Sequence, residues 1–329
     1  MTSPIRPQNA RKLVEALIDR AYARDVTGLI RALVDVGKAG TALEKRLKAL
    51  ERKVILLENA GRRLRPDDPI VKRLLSELDD ALRVQRGNLN QTAQQVLLHT
   101  ERAAAKLAKE LTLPQGVNIA WNTPDPQAVL QVIDYTALPQ WKGFIRGFSE
   151  GVVEQIRLRV IADFAAGRGA KVAARNLRQI VTDLPAASAN RMMRTLQMTA
   201  WRDATAVHYA ANAHILEYSI RICTFDTRVC PACLALHGTI IPLGERVDDH
   251  HNGRCTSIGV IKGTTRNIPS GESWLHTQPL KIQQEILGKA GQQAWQAGKV
   301  RLEDYVSSYT DPVFGEMLRS VPLHTALSK

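Results

Sequence analysis

The stretch DTRVCPACLALHGTIIPLGERVDDHHNGRC, residues 226–255, decides how this chain is read. Cys230-Pro-Ala-Cys233 spaces two thiols by two residues on a turn, which lets both face one point the size of a zinc site. His250, His251 and Cys255 follow after an excursion of strand length. Cys230, Cys233, one histidine and Cys255 together supply four ligands, and the gap between the pairs falls close to the roughly 15–20 residues of ribbon-type zinc sites. The second pair is irregular, so the spacing leaves His250 and His251 as alternative ligands. It also leaves open a structural zinc knot, a redox cysteine pair and a hydrogen-bonded turn without metal. Cys223 reads as a buried small hydrophobe. Asp248 and Asp249, beside His250, read as a solvated turn rather than as an acid/base pair.

Around this cluster the pattern is that of a small antiparallel sheet. Ile220, Ile222, Phe225, Val229, Ile240, Ile241, Ile258, Val260 and Ile261 are β-branched or aromatic and lie in short runs bounded by Gly, Pro and Asp, defining a β region over 218–262. Residues 280–329 read as a helical tail. Upstream, 144–166, 168–182 and 186–216 read as helices broken at Gly167/Gly169 and Pro185, the last of them Ala-rich with Arg191, Arg194 and Arg202. Residues 114–140, punctuated by Pro114, Pro124, Pro126 and Pro139, read as a linker with room only for a strand or turn.

Residues 1–113 read as helical. Asn9 and Asp25 are candidate caps, and Leu43, Leu47, Leu50, Val54 and Leu57 recur in alternating steps of four and three, the seam of a short coiled coil. Asp67, Asp68 and Pro69 announce a helix carrying Leu74, Leu78 and Leu82 on one face, with a further helix over Gln91–Lys109. The fold class is therefore mainly α, with a small α+β domain toward the C-terminus whose sheet carries the Cys/His knot.

The chain holds 45 Lys and Arg against 32 Asp and Glu, a formal +13, and a polyanion is the natural partner for that excess. Aromatic residues make up 5%, too few for the stacking platforms of a reader of unstacked bases, so contact with nucleic acid is expected through phosphate. Arg62, Arg63 and Arg65 are the densest candidates for it. No apolar run approaches the roughly 20 residues of a membrane span, and MTSPIRPQNARK has no signal-peptide core, so the protein is expected to be made in a cytosol. Four cysteines in a reducing compartment point to metal or catalysis rather than to a disulfide framework.

His250 or His251, then Asn267, then His276 follow the order of HNH-type metal-dependent nucleases. Such a site needs a helix between its last two residues, where Ile268-Pro269-Ser270-Gly271 stands. A broader likeness is carried by Asp226-Thr-Arg228-Val-Cys-Pro-Ala-Cys233, Gly238, and His250-His-Asn-Gly-Arg254-Cys255. These residues resemble the signature of the phage Mu F-like head morphogenesis family, the minor head proteins of tailed phages. Arg194-Thr195 in a long helix, with Arg202 after it, resembles that family's Arg-Thr helix. Gln278-Pro-Leu-Lys-Ile-Gln-Gln-Glu-Ile-Leu-Gly288 resembles its Gln-rich helix ending in Leu-Gly. Two positions depart from the pattern: Gly253 stands where the family has Cys, and His251 where it has Pro.

The resemblance implies a head morphogenesis domain over 141–279. It further implies a non-enzymatic minor capsid protein inside the virion near the portal, with the portal protein and capsid or scaffolding proteins as partners. Non-specific contact with double-stranded DNA through phosphate and a structural zinc ion fit that picture. The alternatives from the residues themselves are the nuclease and a zinc-ribbon nucleic-acid-binding protein.

Overall fold

The structure, a computed structural model, describes residues 69–113, 119–143, 146, 191–192, 194–266 and 268–329. The coiled-coil seam, Arg62, Arg63 and Arg65, Asn267 and the helices expected between 147 and 190 lie outside the described residues. The described part is mainly helical with a small antiparallel sheet. None of its helices is long and apolar enough to cross a membrane. It divides into two compact units, one holding the described residues of 97–134 and 195–329, the other those of 69–96 and 135–194.

Helix α1, Pro69–Thr112, is continuous where the sequence suggests two helices. Gly87 sits inside it, a cost of about 1 kcal/mol that a long helix tolerates. In the second unit, Trp141 is fully buried and its indole N–H donates to Asn90 at 3.1 Å. In the first unit, Leu97, Ala104, Leu107, Ala108 and Leu111 recur at helical spacing and are buried. Arg266 donates to the carbonyls of Leu111 (3.2 Å) and Thr112 (2.7 Å), satisfying two acceptors that every helix end leaves open.

The proline-rich stretch is not a bare linker. Helix α2, Pro126–Ile133, occupies it, because Asp125 accepts from the Gln127 amide at 3.0 Å and Pro126 supplies a first helical residue that needs no amide donor. Val129 and Ile133 are fully buried. Just before it, Asn122 and Asn212 clasp each other, Asn122 N donating to Asn212 Oδ1 (2.7 Å) and Asn212 Nδ2 donating to Asn122 O (2.8 Å).

Helix α3, residues 194–211, leads into β1, Leu216–Ile222. Helix α4, Pro231–Ala235, and β2, Ile240–Ile241, follow, then β3, Thr256–Ile261. The sheet order is β2-β1-β3, all antiparallel, with Ser219 opposite Ile241 and Arg221 opposite Ser257. The two-residue period of β1 sends Ile220 and Ile222 into an apolar cluster with Ile258 and Val260, and places Ser219 and Arg221 on the other face. Gly238, with φ of 86°, makes the turn between α4 and β2, donating its amide to Arg221 O at 2.9 Å.

The segment after residue 279 departs from a helical tail. Helix α5, Gly271–His276, and helix α6, Leu280–Gln296, are followed by the hairpin of β4, Val306–Asp311, and β5, Gly315–Ser320, and by a short helix α7, Leu323–Ala326. Asp311 closes the hairpin by accepting from the amides of Val313 (2.8 Å) and Phe314 (3.0 Å), and Gly315 takes the φ of 73° the turn requires. Gly288, at φ 73°, breaks α6 at the Leu287-Gly288 step. Nor is this segment a separate domain: Leu287, Trp295, Val300, Leu302, Tyr305 and Val321 share one buried core with Val229, Cys233, Leu234, Val247, Cys255 and Trp274.

Candidate metal centre

Cys230 is the N-cap of α4, and its sulfur accepts from the Cys233 amide at 3.3 Å. Pro231 at the first helical position fixes the turn, so the two-residue spacing puts both sulfurs on one side. His250 Nε2 lies 3.4 Å from Cys230 Sγ and 3.3 Å from Cys233 Sγ. For a tetrahedral ion with Zn–S near 2.3 Å and Zn–N near 2.0–2.1 Å, those edges would be about 3.6 Å. The spacing therefore fits a metal to within a few tenths of an ångström. The imidazole is also correctly turned: Nδ1 donates to the His251 carbonyl at 2.8 Å, so Nε2 is the nitrogen that faces the sulfurs and would give up its proton to an ion, as in the outer shell of metal-bound histidines.

Cys233 belongs to two groups able to hold an ion, Cys230–Cys233–His250 and Cys233–Asp249–Cys255. The cluster of Cys230, Cys233, His250 and Cys255 could thus hold a metal ion, with Cys233 as its hinge. Hydrogen bonding with Cys230, then burial and the Asp249 charge, push the Cys233 thiol up to about 11. Hydrogen bonding from Cys233 and burial raise Cys255 well above the usual thiol range. Burial opposes a charge on His250, but Cys233 and Asp249 outweigh it and raise it to about 9. Without an ion these thiols keep their protons; an ion would displace them, as thiolate is the ligand.

Asp249 is not part of a solvated turn. Its side chain is fully buried between Arg202 and Arg221, each 3% exposed. Arg202 Nη2 donates to Asp249 Oδ2 at 2.7 Å and to Gly253 O at 2.8 Å, while its Nε donates to Cys255 O at 2.8 Å. Arg221 approaches Asp249 Oδ1 at 3.4 Å and donates to Asp248 O. Asp249 further accepts from the amides of His250 (2.9 Å) and Cys255 (3.0 Å). Burial alone would raise its pKa; the two guanidinium groups overcome this and hold it below its usual range. The sequence reading of Asp249 as a solvated turn is corrected by its burial, and Arg221 had no role in that reading. The available signal was an arginine between Ile220 and Ile222 on an apolar strand, and another on the apolar frame of α3, each needing a buried anion.

This carboxylate explains Gly253. A Cβ at that position would overlap the Asp249 carboxylate, so the cysteine of the family pattern has no room here. Asp226 and Arg254 form a two-bond pair, Nη1 to Oδ2 and Nη2 to Oδ1, both 2.6 Å, and Arg228 adds a contact at 3.2 Å. Bonding to Arg254 is the main cause that lowers Asp226 to about 2. The pair ties the turn before α4 to the loop before β3.

His251 is in neither ligand group. Its Nε2 lies 3.2 Å from Asp311 Oδ2 and its Nδ1 lies 3.3 Å from Thr195 Oγ1, which also accepts from the Asn252 amide at 3.2 Å. Carboxylate, imidazole and hydroxyl follow the order of a nucleophilic triad, but Thr195 is 1% exposed and its oxygen holds the loop, so the series acts as a clasp. His276 packs against Trp295 with ring centroids 4.3 Å apart and planes tilted by 34°, among different neighbours from His251. Asn267 lies outside the described residues. Residues 268–270 are irregular and α5 begins only at Gly271, which packs so tightly on the Leu234 carbonyl that a Cβ would overlap it. Arg194 is exposed on α3.

Comparison with known proteins gives no match: no family model, curated protein or solved structure corresponds to this chain.

Proposed function

We propose that this chain is a non-enzymatic minor head protein of a tailed phage, of the Mu F-like type, acting in head morphogenesis at the portal. The observation that carries this reading is the convergence of the residues of the resemblance on one knot. Thr195 and Arg202 on α3, Asp226 and Arg254 in the loops, and Cys230, Cys233, His250 and Cys255 all bear on the loop 249–255. Their polar groups are turned onto one another, which suits a staple that holds a fold rather than a centre that turns over substrate. The ion is zinc, because thiolate and imidazole in a four-ligand set suit it and a structural zinc stabilises a small domain directly.

In this reading the knot anchors the module in the head interior, beside the portal protein and capsid or scaffolding proteins. The basic residues outside it, Arg62, Arg63 and Arg65 among them, lie against packaged DNA by phosphate contact. The deciding experiment is co-expression with the phage portal protein. Co-purification with the portal ring, one zinc per chain, and plasmid left intact in Mg²⁺ or Mn²⁺ are the expected results. Plasmid cutting that disappears in His251→Ala would overturn the reading in favour of the nuclease. Sequence-preferring duplex binding without portal contact would favour a zinc-ribbon DNA-binding protein.

A further inference from the structure

Arg202, Arg221 and Asp249 are buried together, with side chains 3%, 3% and 0% exposed. Arginine does not give up its proton in proteins, so two guanidinium groups against one carboxylate leave one net positive charge inside the fold. An uncompensated buried charge is strongly unfavourable, and here the groups beside it are sulfurs. Arg221 reaches Asp249 Oδ1, the same oxygen that the Cys233 sulfur approaches at 3.5 Å, in the group that also holds Cys255, and its Nε–H is buried without a partner. His237 adds no charge, because its Nδ1 accepts from the Cys223 amide at 3.0 Å and so carries no proton there.

Among the described residues, Cys255 and Asp249 lie against Cys233 in a second group and are the candidates for the fourth ligand of an ion on Cys230, Cys233 and His250. Asp249 is already engaged: Oδ2 takes Arg202 and the Cys255 amide, and Oδ1 takes the His250 amide and Arg221. The Cys255 sulfur is left. A divalent ion with three thiolates and a neutral imidazole carries one net negative charge, which cancels the excess of the arginine pair. A set of two thiolates and two imidazoles would leave the positive charge standing, and four thiolates would overshoot it.

We propose that Arg221 is the counter-charge of a three-thiolate, one-histidine site for a divalent ion, positioned by Asp249 to neutralise the Cys255 thiolate. This rests on the zinc reading above and adds to it the residue that balances the charge of its three thiolates. Arg221 acts on the ion through Cys255, so its removal weakens binding without removing a ligand.

The test uses the full chain, stripped of metal and titrated with Co²⁺ against a competing chelator, with thiolate-to-cobalt charge-transfer absorption counting the thiolates. The wild-type chain is expected to take one Co²⁺ with the absorption of three thiolates, and Cys255→Ser to keep about two thirds of it. Arg221→Met is expected to bind at least about tenfold more weakly with unchanged absorption per bound cobalt, and Arg221→Lys to recover most of the affinity. In the Cys255→Ser background, Arg221→Met should have little further effect, because the charge it neutralises is gone. A merely structural Arg221 would instead give additive losses and no rescue by lysine. Wild-type protein that takes no metal would end the zinc reading and this inference with it. Metal bound by the wild type with two-thiolate absorption, or as tightly by Arg221→Met, would overturn the inference alone. Should Arg221→Met fail to fold, Arg221→Lys decides: affinity more than about tenfold below wild type sinks the counter-charge.

Discussion

Residues 1–194 carry 32 Lys and Arg against 20 Asp and Glu, whereas residues 195–329 carry 13 against 12, so +12 of the formal +13 lies before the Cys/His module. The two regions also use charge differently. In the module four arginines are paired with carboxylates in buried or partly buried positions: Arg202 and Arg221 on Asp249, Arg254 on Asp226, Arg246 on Asp203 and Asp248. On α1 the described pairs are exposed, Arg83–Asp80 at 72% and 58% and Lys106–Glu110 at 57% and 40%. Exposed pairs of this kind contribute at most about 1 kcal/mol and are screened by salt, so those charges remain open to a polyanion. The module's buried pairs specify a structure, whereas the two described pairs of α1 lie in solvent.

Breaking the module at its hinge should have the largest effect. Cys233→Ser, which removes the residue shared by both ligand groups, is expected to lose the single zinc and the cooperative melting of the region after Phe225. Zinc analysis and differential scanning calorimetry measure this, and a metal-free wild type whose melting Cys233→Ser leaves unchanged would refute it. Next is Arg202→Met, which takes the side-chain donor from the buried Gly253 O and Cys255 O and one of the two donors from Asp249 Oδ2. A loss of about 3–5 kcal/mol is expected in urea unfolding, and less than 1 kcal/mol would show that the network is not needed.

The basic excess before residue 195 is tested by Arg62→Gln/Arg63→Gln/Arg65→Gln in the full chain. Affinity for duplex DNA is expected to fall about tenfold with a shallower dependence on salt. The exposed pair Lys281→Gln/Lys289→Gln in the module should leave both unchanged. Equal losses from the two sets would erase the contrast between the regions.

The smallest effect is expected at the partly exposed pair of Asp226. Its carboxyl is lowered from 3.8 to about 2, chiefly by Arg254. A lowered carboxylate contributes stability that is complete above its unfolded pKa and lost as pH falls through the folded one. Asp226→Asn should therefore cost about 1 kcal/mol at pH 7, after discounting for solvent, and the difference from wild type should shrink between pH 4 and pH 2. A difference that grows on acidification would show the sign to be wrong.

Much of this was legible from local chemistry. Cys230-Pro-Ala-Cys233 announces a turn with two facing thiols, and the β-branched runs a small antiparallel sheet, because spacing and backbone preference act over a few residues. The structure added a helix at Pro126–Ile133, announced by Asp125-Pro126, and a hairpin at 306–320 whose Asp311-Pro-Val-Phe-Gly315 turn is equally local in origin. What the chain alone could not rank was His250 against His251, adjacent and chemically identical. Only the fold turns one to the sulfurs and the other to Asp311. Nor could it tell that Asp249 is buried, or that Gly253 is a glycine because that carboxylate fills the space of its side chain. Ligand types and turns follow from the sequence because they depend on neighbours in the chain; burial and ion pairing depend on α3, β1 and the loop 249–255 meeting across some 50 residues, which no local pattern encodes.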